Sequence, residues 1–317
     1  MTNRSAREAF SVISWTIALA ALLLMVLAVP SASANSIDIG LAANYGLLFE
    51  GAGGNTLQIS NVTVNGNIGV GMTGKATDSG PSTINGRLDF SASNTSQFSN
   101  NNASNVITGG VNYGVGVVTM ALGTVNSLNT MLGSEAGTSI NINGNTTINA
   151  SAGILDANGD RVFTVTGFNT TDSNVLTING DAAGDNVVLN FKGLSANFNN
   201  QVKLVGISSD QVLYNFVGGS NLTGGPALQI NDNLSNNTPN CSLGQFCVQG
   251  IFLDPNGKIS VTNANLVGRV FGGDTQDFQY VSGSKVTAPT TFTPEPASLV
   301  LLGTGILALG SFFRRRK

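Results

Sequence analysis

The chain reads Val64-Asn65-Gly66-Asn67-Ile68 and, 20 residues later, Ile84-Asn85-Gly86-Arg87-Leu88. Each segment places glycine between two polar residues, with an apolar residue at either end. Asn-Gly between apolar residues is a strong signal for a type I′ hairpin. The strand pattern nevertheless continues to Val70, where a hairpin would reverse it, and glycine inside a continuing strand favours a bend or bulge. A spacing of 20 residues fits one coil of a β-solenoid.

The same motif recurs later in the chain without a constant period. Three further copies follow at spacings of 58, 36 and 88 residues, in Ile142–Thr146, Ile178–Ala182 and Leu266–Val270. The 40 glycines, together with many Asn, Ser and Thr and few Lys and Glu, favour short strands with frequent turns. Period-two alternation, as in Lys258-Ile259-Ser260-Val261, predicts strands of four to six residues. The predicted fold is therefore mainly β, an irregular right-handed β-solenoid.

One segment departs from the β pattern. Between Val115 and Leu132 the apolar residues follow three-and-four spacing, which predicts an amphipathic α-helix of four to five turns that ends at Gly133. The stripe consists of Val118, Ala121, Leu122, Val125, Leu128, Met131 and Leu132. We expect this helix to pack its stripe along the sheet structure, and a helix that binds a partner is the alternative.

The N-terminus has the pattern of a secretory signal peptide, residues 1–34. Arg4 and Arg7 form a weakly basic region, Ile13–Val29 is nearly all apolar, and Ala32-Ser33-Ala34 has the small-x-small cleavage pattern. Cleavage is predicted after Ala34, and the protein is predicted to be exported.

The C-terminus has three parts in a fixed order. Pro294, Glu295 and Pro296 precede an apolar run at 297–313, and Arg314, Arg315, Arg316 and Lys317 end the chain. Seventeen residues of helix measure about 25 Å, slightly less than the roughly 30 Å hydrocarbon core, so this predicted transmembrane helix is a marginal anchor. The terminal cations are expected to stay in the cytoplasm. An ordinary membrane anchor is the alternative interpretation.

This order of Pro-Glu-Pro, short apolar segment and arginine cluster resembles the PEP-CTERM sorting tail of exported bacterial proteins. The resemblance covers residues 294–317. It implies recognition by a membrane protease of the exosortase type, transient anchoring in the inner membrane, and release to the cell surface or the extracellular space.

Between the two ends lie a body at 35–286 and a linker at 287–293. Without its terminal segments the chain keeps eight basic and fifteen acidic residues, a net charge near −7. That charge argues against nucleic acid and against an anionic membrane surface as partners.

The body resembles the choice-of-anchor A domain and, more distantly, ice-binding-like β-solenoids. The resemblance rests on the order of short strands, one helix and further strands, and above all on Val248–Gly257 with its Pro-Asn-Gly and on Leu266–Gly273 with its Val-Gly-Arg-Val. It implies a surface domain without established enzymatic chemistry and without a cofactor.

Candidates for chemistry are few. The chain has no histidine, which excludes Ser-His-Asp and Cys-His arrangements. Two-carboxylate glycosidase chemistry stays open, with Asp274 and Asp277 as the best pair. Aspartate is also a standard turn residue, and capping of a turn is the favoured interpretation. Tyr45, Tyr113 and Tyr280 are candidates for stacking on sugars, whereas Tyr214 is expected in the core.

Two further features have structural alternatives. Asp156, Asn158 and Asp160 place oxygen side chains at alternate positions, as calcium loops do, but the segment equally fits a hairpin turn. Cys241 and Cys247 are predicted to form a disulfide that closes a small loop, as is common in exported proteins.

The sequence thus predicts a non-enzymatic exported protein of the cell surface or extracellular matrix, structural or adhesive, with exopolysaccharide as a possible partner. The alternatives are a carbohydrate-active enzyme, or an adhesin for ice or polysaccharide, on the same scaffold. A regular threonine array would support ice binding, and Thr146-Thr147 and Thr170-Thr171 show no common register.

Overall fold

The structure is a computed structural model, and it describes residues 36–171, 173–181, 185–218, 227–231, 247–273 and 277–289. These residues form a mainly β body with one α-helix, which confirms the predicted fold class at that level. The predicted signal peptide and the predicted membrane helix at 297–313 lie outside the described residues. Within the described ranges, no helix is both long and apolar enough to span a bilayer.

Ten short strands precede the helix. In chain order, β1 to β10 are Tyr45–Phe49, Thr56–Ser60, Thr63–Asn65, Asn67–Val70, Lys75–Asp78, Thr83–Asn85, Leu88–Phe90, Phe98–Asn100, Val106–Ile107 and Val111–Asn112. Three 3-10 turns lie among them, at Gly40–Asn44, Ala52–Gly54 and Thr95–Gln97.

The helix α1, Gly116–Ser134, is followed by fifteen strands in the described residues. In chain order, β11 to β25 are Thr138–Asn143, Thr146–Asn149, Ile154–Leu155, Asp160–Asn169, Val175–Asn179, Asn186–Lys192, Ala196–Phe198, Gln201–Val205, Val212–Val217, Ala227–Asn231, Val248–Asp254, Lys258–Thr262, Asn265–Gly272, Phe278–Val281 and Lys285–Thr287. A fourth 3-10 turn lies at Ala150–Ala152.

Successive turns of the chain stack in parallel, and the stack has three faces. The helix face is the run β10-β7-β4-β1-β23-β21-β19-β16-β14-β11. The ladder face is the sheet β17-β20-β22-β24-β2-β5-β8. The asparagine face consists of two groups of strands, β12, β15 and β18 on one side and β25, β3, β6 and β9 on the other. The first residues of β21 and β23 lie between the two groups. The handedness of the coil stays a prediction.

The chain does not fill this stack from one end to the other. On the helix face β1 lies in the middle, β10 at one end and β11 at the other. The first coils therefore run from the middle outward, α1 connects the two ends, and the later coils return to the middle. There β25 pairs with β23 on one side and β3 on the other. Both ends of the described body consequently meet at mid-stack.

The Asn-Gly motif bends strands and does not form hairpins in the first two copies. Val64 and Asn65 pair in parallel with Ile84 and Asn85, so the 20-residue spacing is one coil. Gly66 adopts a φ of 149°, and a Cβ at Gly86 would collide with the Gly66 carbonyl of the neighbouring coil. Close backbone approach at a corner therefore explains the glycine.

Two apolar cores fill the structure, one inside the stack and one under the helix. Strands of the helix face contribute to both, because successive side chains point to opposite sides. In β19, for example, Tyr214 and Phe216 point into the stack and Leu213 points towards α1. Helix-face strands such as β19 are therefore almost continuously buried, whereas ladder strands such as β2 alternate between buried and partly exposed residues.

The predicted helix is confirmed with two corrections. Met131 is 46% exposed and does not belong to the buried stripe. Gly133 does not end the helix, which continues to Ser134. A Cβ at Gly133 would approach the Val217 side chain to 2.8 Å, which explains why glycine stands there. Glycine lets α1 lie close to β19 at this point.

A buried asparagine network, unforeseen from sequence, joins the helix to its sheet. Asn129 Nδ2 donates to Asn215 Oδ1 at 2.7 Å, and Asn215 Nδ2 donates to Asn190 Oδ1 at 2.8 Å. Asn190 Nδ2 then donates to the Leu132 carbonyl at 2.8 Å, near the C-terminal end of the helix. All three asparagines are at most 4% exposed, so their amides satisfy one another where water has no access.

Candidate functional site

Of the two carboxylates proposed for glycosidase chemistry, only Asp277 belongs to the described residues. Asp274 lies outside the described residues. Asp277 accepts hydrogen bonds from the Thr56 backbone N–H at 2.8 Å and from Gln58 Nε2 at 3.0 Å, across to the neighbouring coil. Asp277 therefore has the structural role expected of an aspartate beside a turn.

The calcium candidate lies in a hairpin turn. β13 and β14 pair antiparallel around it, with Ile154 opposite Val162. Asp156 Oδ1 accepts from the backbone N–H groups of Asn158 at 2.9 Å and Asp160 at 2.7 Å. The geometry fits the hairpin alternative. Among the described residues, no three His, Cys, Asp or Glu side chains group in a way that could hold a metal.

Three acids elsewhere in the body have strongly raised pKa values. Burial raises the pKa of Asp78 to about 6, an effect that the nearby polar groups of Ser82 and Gly80 partly offset. Burial also raises the pKa of Asp254 well above its usual range. The pKa of Glu135 rises to about 7 through burial and through the nearby carboxyl groups of Asp156 and Asp160. Asp78 and Asp254 are fully buried and cannot meet a substrate from solution.

Aromatic stacking platforms for sugars do not form at two of the three predicted tyrosines. Tyr45 and Tyr280 are fully buried, as Tyr214 is in the predicted core position. Tyr113 stacks on Phe90 with ring centroids 5.1 Å apart. Tyr45 and Tyr280 are therefore not available to stack on a sugar.

The disulfide prediction concerns one described residue. Cys247 is 1% exposed and is disulfide-bonded, and its backbone carbonyl accepts from the Val202 N–H at 3.0 Å. Cys241 lies outside the described residues, and the pairing of Cys241 with Cys247 stays a prediction.

The asparagine face uses many of its polar groups within the protein. Asn85 Nδ2 donates to Asn65 Oδ1 at 2.8 Å, and Asn65 Nδ2 donates to Thr287 Oγ1 at 3.2 Å. On the same face Asn179 Nδ2 donates to Asn149 Oδ1 at 2.9 Å. These bonds connect consecutive coils, which explains why asparagine recurs before the corner glycine.

The ladder face carries a continuous row of uncharged polar side chains across seven strands. Its members face outward and are paired in register from one strand to the next: Asn197, Gln229, Ser260, Gln279, Gln58, Thr77 and Ser99. We call this set the polar row. Two charged residues of the same sheet lie at the margin of this row: Lys75, which pairs with Thr56, and Lys258, which pairs with Ala227.

The polar row keeps much of its hydrogen-bonding capacity free. Gln58 and Gln279 bond to each other at 3.4 Å, and Ser260 contacts Thr262 at 3.4 Å. The side chains of the other four members form no hydrogen bond with a described residue. No sequence motif marks this row, because its members come from seven separate segments, and only the register assembles them.

A buried arginine, Arg269, holds the C-terminal end of the described body against β1. Its role was not predicted from the sequence. Arg269 is 2% exposed and donates to the Tyr45 carbonyl at 2.6 Å and to the Pro289 carbonyl at 2.8 Å. Burial lowers its pKa, opposed by the charge of Asp210. Arg269 thus joins β23 to β1 and to the segment that leads into the C-terminal tail.

Comparison with known protein families identifies the C-terminal tail. Residues 292–317 match the PEP-CTERM protein-sorting motif, which confirms the motif predicted at Pro294 to Lys317. The chain is therefore an exported protein with a PEP-CTERM sorting signal. A search for similar sequences among curated proteins finds no match.

Several solved structures of ice-binding proteins are similar to this chain at low sequence identity. One comes from the Antarctic ascomycete Antarctomyces psychrotrophicus, with a TM-score of 0.49, 15% identity, and coverage of 81% of this chain and 100% of that chain. A second comes from an Arctic yeast, with a TM-score of 0.49, 16% identity, and coverage of 82% and 97%. The DUF3494 domain of Shewanella frigidimarina ice-binding protein 1 has a TM-score of 0.41, 13% identity, and coverage of 80% and 97%.

Proposed function

We propose that this chain is a non-catalytic, structural or adhesive component of the cell surface or extracellular matrix. Its body is a right-handed β-solenoid over residues 35–286, and its signal peptide and its tail at 294–317 are removed or processed during export. One observation carries the proposal. The last strand, β25, ends at Thr287, and the matched sorting motif begins at residue 292. The tail can therefore be cut away without loss of any described strand.

Transient anchoring follows from the length of the tail. Its apolar run at 297–313 is shorter than a bilayer core normally requires and is followed by a cluster of cations. We infer that it holds the protein in the inner membrane until an exosortase-type protease acts, after which the body moves to the surface or the medium.

A role without catalysis is supported by the positions of three of its acids. Asp277 bonds to the neighbouring coil, and Asp78 and Asp254 are buried in the stack. The outward polar groups of the ladder face are mostly amides and hydroxyls, which suit hydrogen bonding to a hydrated polymer better than acid–base chemistry. Exopolysaccharide is accordingly the partner that we propose.

The mass of the mature protein tests the proposal. Protein is recovered separately from inner membrane, envelope surface and medium, and its termini are determined by intact-mass spectrometry. We expect a chain that starts near Asn35 and ends before Ala297, found outside the inner membrane. An intact C-terminus that stays in the inner membrane would contradict it.

Two tail variants separate recognition from charge. In the first, Arg314, Arg315 and Arg316 are replaced by glutamine, and in the second by lysine, which keeps the charge. We expect the glutamine variant to remain unprocessed or to be exported without retention, since the positive-inside signal is weakened. Processing of the lysine variant shows whether charge alone is sufficient.

A further inference from the structure

Two polar faces of the body are open to solvent, and they differ in how their amide side chains are used. On the asparagine face, Asn85, Asn65 and Asn179 donate to side chains of adjacent coils. On the ladder face, Asn197, Gln229, Thr77 and Ser99 have no such partner among the described residues. A ligand that binds by hydrogen bonds gains most where the protein has not already used its donors and acceptors.

The spacing of the polar row suits a partner that itself repeats. Neighbouring strands lie about 4.8 Å apart, so seven strands place seven like side chains along roughly 29 Å. A single hydrogen bond between protein and ligand replaces hydrogen bonds to water and therefore contributes little to the free energy of binding. Many such bonds in a row become effective only when one partner chain engages several of them at once.

The charge of the ladder face restricts the chemistry of this partner. The polar row contains no charged residue, and the body as a whole is near −7. The negative net charge would repel an anionic polymer, and Lys75 and Lys258 at the margin of the row are the only cations among the described residues of this sheet that could attract it. The row also contains no aromatic or apolar side chain, which the centre of a protein–protein interface usually provides.

Three members of the row are glutamines, and their side chains adapt to the partner. An amide offers a donor and an acceptor together, and its flexible stem can reach hydroxyl groups in different positions. A rigid lattice such as ice would instead be matched by stiff, β-branched side chains in register. Within the row only Thr77 is of that type.

We propose that the ladder face is the docking surface for a neutral polysaccharide chain, which lies across the strands along the polar row. This proposal rests on the proposed function as a matrix protein and adds the face and the ligand class. Hydroxyl groups of successive sugar residues exchange hydrogen bonds with the amides and hydroxyls of successive coils. The asparagine face holds the coils together and does not bind the polymer.

The test uses the exported, processed protein and two matched double variants. Gln229→Ala with Gln279→Ala removes two amides from the polar row. Thr147→Ala with Thr177→Ala removes two outward hydroxyls from the asparagine face, on paired strands and without loss of a hydrogen bond to a described residue. Thermal unfolding of both variants verifies that the fold is unchanged.

Binding is measured by affinity electrophoresis in gels that contain dextran, amylose or hydroxyethyl cellulose, with alginate as the anionic comparison. We expect retardation by at least one neutral polymer, a loss of affinity of about tenfold or more in the glutamine variant, and less than about twofold in the threonine variant. Because no counterions are released, binding should be nearly independent of salt.

Several results would overturn the proposal. They are the absence of retardation by all three neutral polymers, stronger retardation by alginate, or an equal loss in both variants. Inhibition of ice growth that the glutamine variant abolishes, without retardation by a polysaccharide, would assign the face to ice. The termini and the location of the wild-type chain, measured as described for the proposed function, test that function separately from the binding proposal. A chain that is exported and trimmed normally but does not bind overturns only this one.

Discussion

The ladder face and the asparagine face have similar side chains and use them differently. On the asparagine face, Asn65 both accepts from Asn85 and donates to Thr287, so one side chain connects three coils. On the ladder face, Gln229 pairs in register with Asn197 and Ser260 but forms no side-chain hydrogen bond with either. Polar composition alone therefore does not distinguish a surface that holds a fold together from one that is free to bind.

The largest effect on stability should come from Gly268, at the corner where β23 passes from the asparagine face to the helix face. Gly268 has a φ of 152°, and a Cβ there would collide with the Gly250 carbonyl of the paired strand. Gly268→Ala should cost at least about 3 kcal/mol or prevent folding. Gly123→Ala is the control, because that helical position is open and should stabilise the protein by up to about 1 kcal/mol. Chemical denaturation measures both, and similar stabilities of the two variants would contradict the corner role.

The next largest effect should come from the buried asparagine network under the helix. Asn215→Ala leaves Asn129 and Asn190 without one of their partners in a dry site, which should lower the free energy of unfolding by about 2 to 3 kcal/mol. Asn197→Ala on the ladder face removes the same amide from an exposed position and should change stability by less than about 0.5 kcal/mol. A loss below 1 kcal/mol for Asn215→Ala, measured by urea unfolding, would mean that water reaches the network.

A pH titration should separate stability from binding. Burial raises the pKa of Asp78 from 3.8 to about 6, so the folded state holds this proton more tightly than the unfolded state. The protein should therefore lose stability, by about 1 to 2 kcal/mol from this group, as pH rises from about 4 to about 6. Asp78→Asn should remove that part of the slope and be more stable than wild type at pH 7. The central polar row does not titrate, so polymer affinity should stay constant over the same range. An unchanged slope in Asp78→Asn would refute the assignment to this residue.

The smallest effect tests the comparison of the two faces directly. Asn65→Ala breaks two inter-coil hydrogen bonds in a partly exposed position and should cost about 1 kcal/mol. Gln229→Ala should be neutral within about 0.5 kcal/mol, because its side chain bonds to no described residue. Melting temperatures of the two variants give the difference. Equal values would mean that the faces do not differ in how they support the fold.

Patterns that are local in the chain were predictable. Alternation of apolar and polar residues indicated short strands, three-and-four spacing indicated α1, and the 20-residue interval between Gly66 and Gly86 indicated a coil. The sorting motif was also recognisable, because its three parts are consecutive. In each case a few neighbouring residues contain the whole signal.

What could not be predicted depends on pairing between distant segments. The placement of β25 between β23 and β3, the exposure of Met131 and the role of Gly133 inside the helix follow from packing that no short window contains. The buried asparagines were missed for the same reason, since Asn129 is 86 residues away from Asn215 along the chain.

By itself, the sequence determined the C-terminal sorting motif, the mainly β composition, the single helix and the bends at Asn-Gly. These features depend on backbone preference, hydrophobic periodicity and motifs read by other proteins, all of which act over a few residues. The tertiary structure alone decided which polar residues are consumed and which are free. Asn65 and Gln229 both lie in short alternating strands, but only the parallel register gives Asn65 a neighbour within hydrogen-bonding distance on each side. Register is set by the packing of the whole stack, and with it the surface that remains to bind a partner.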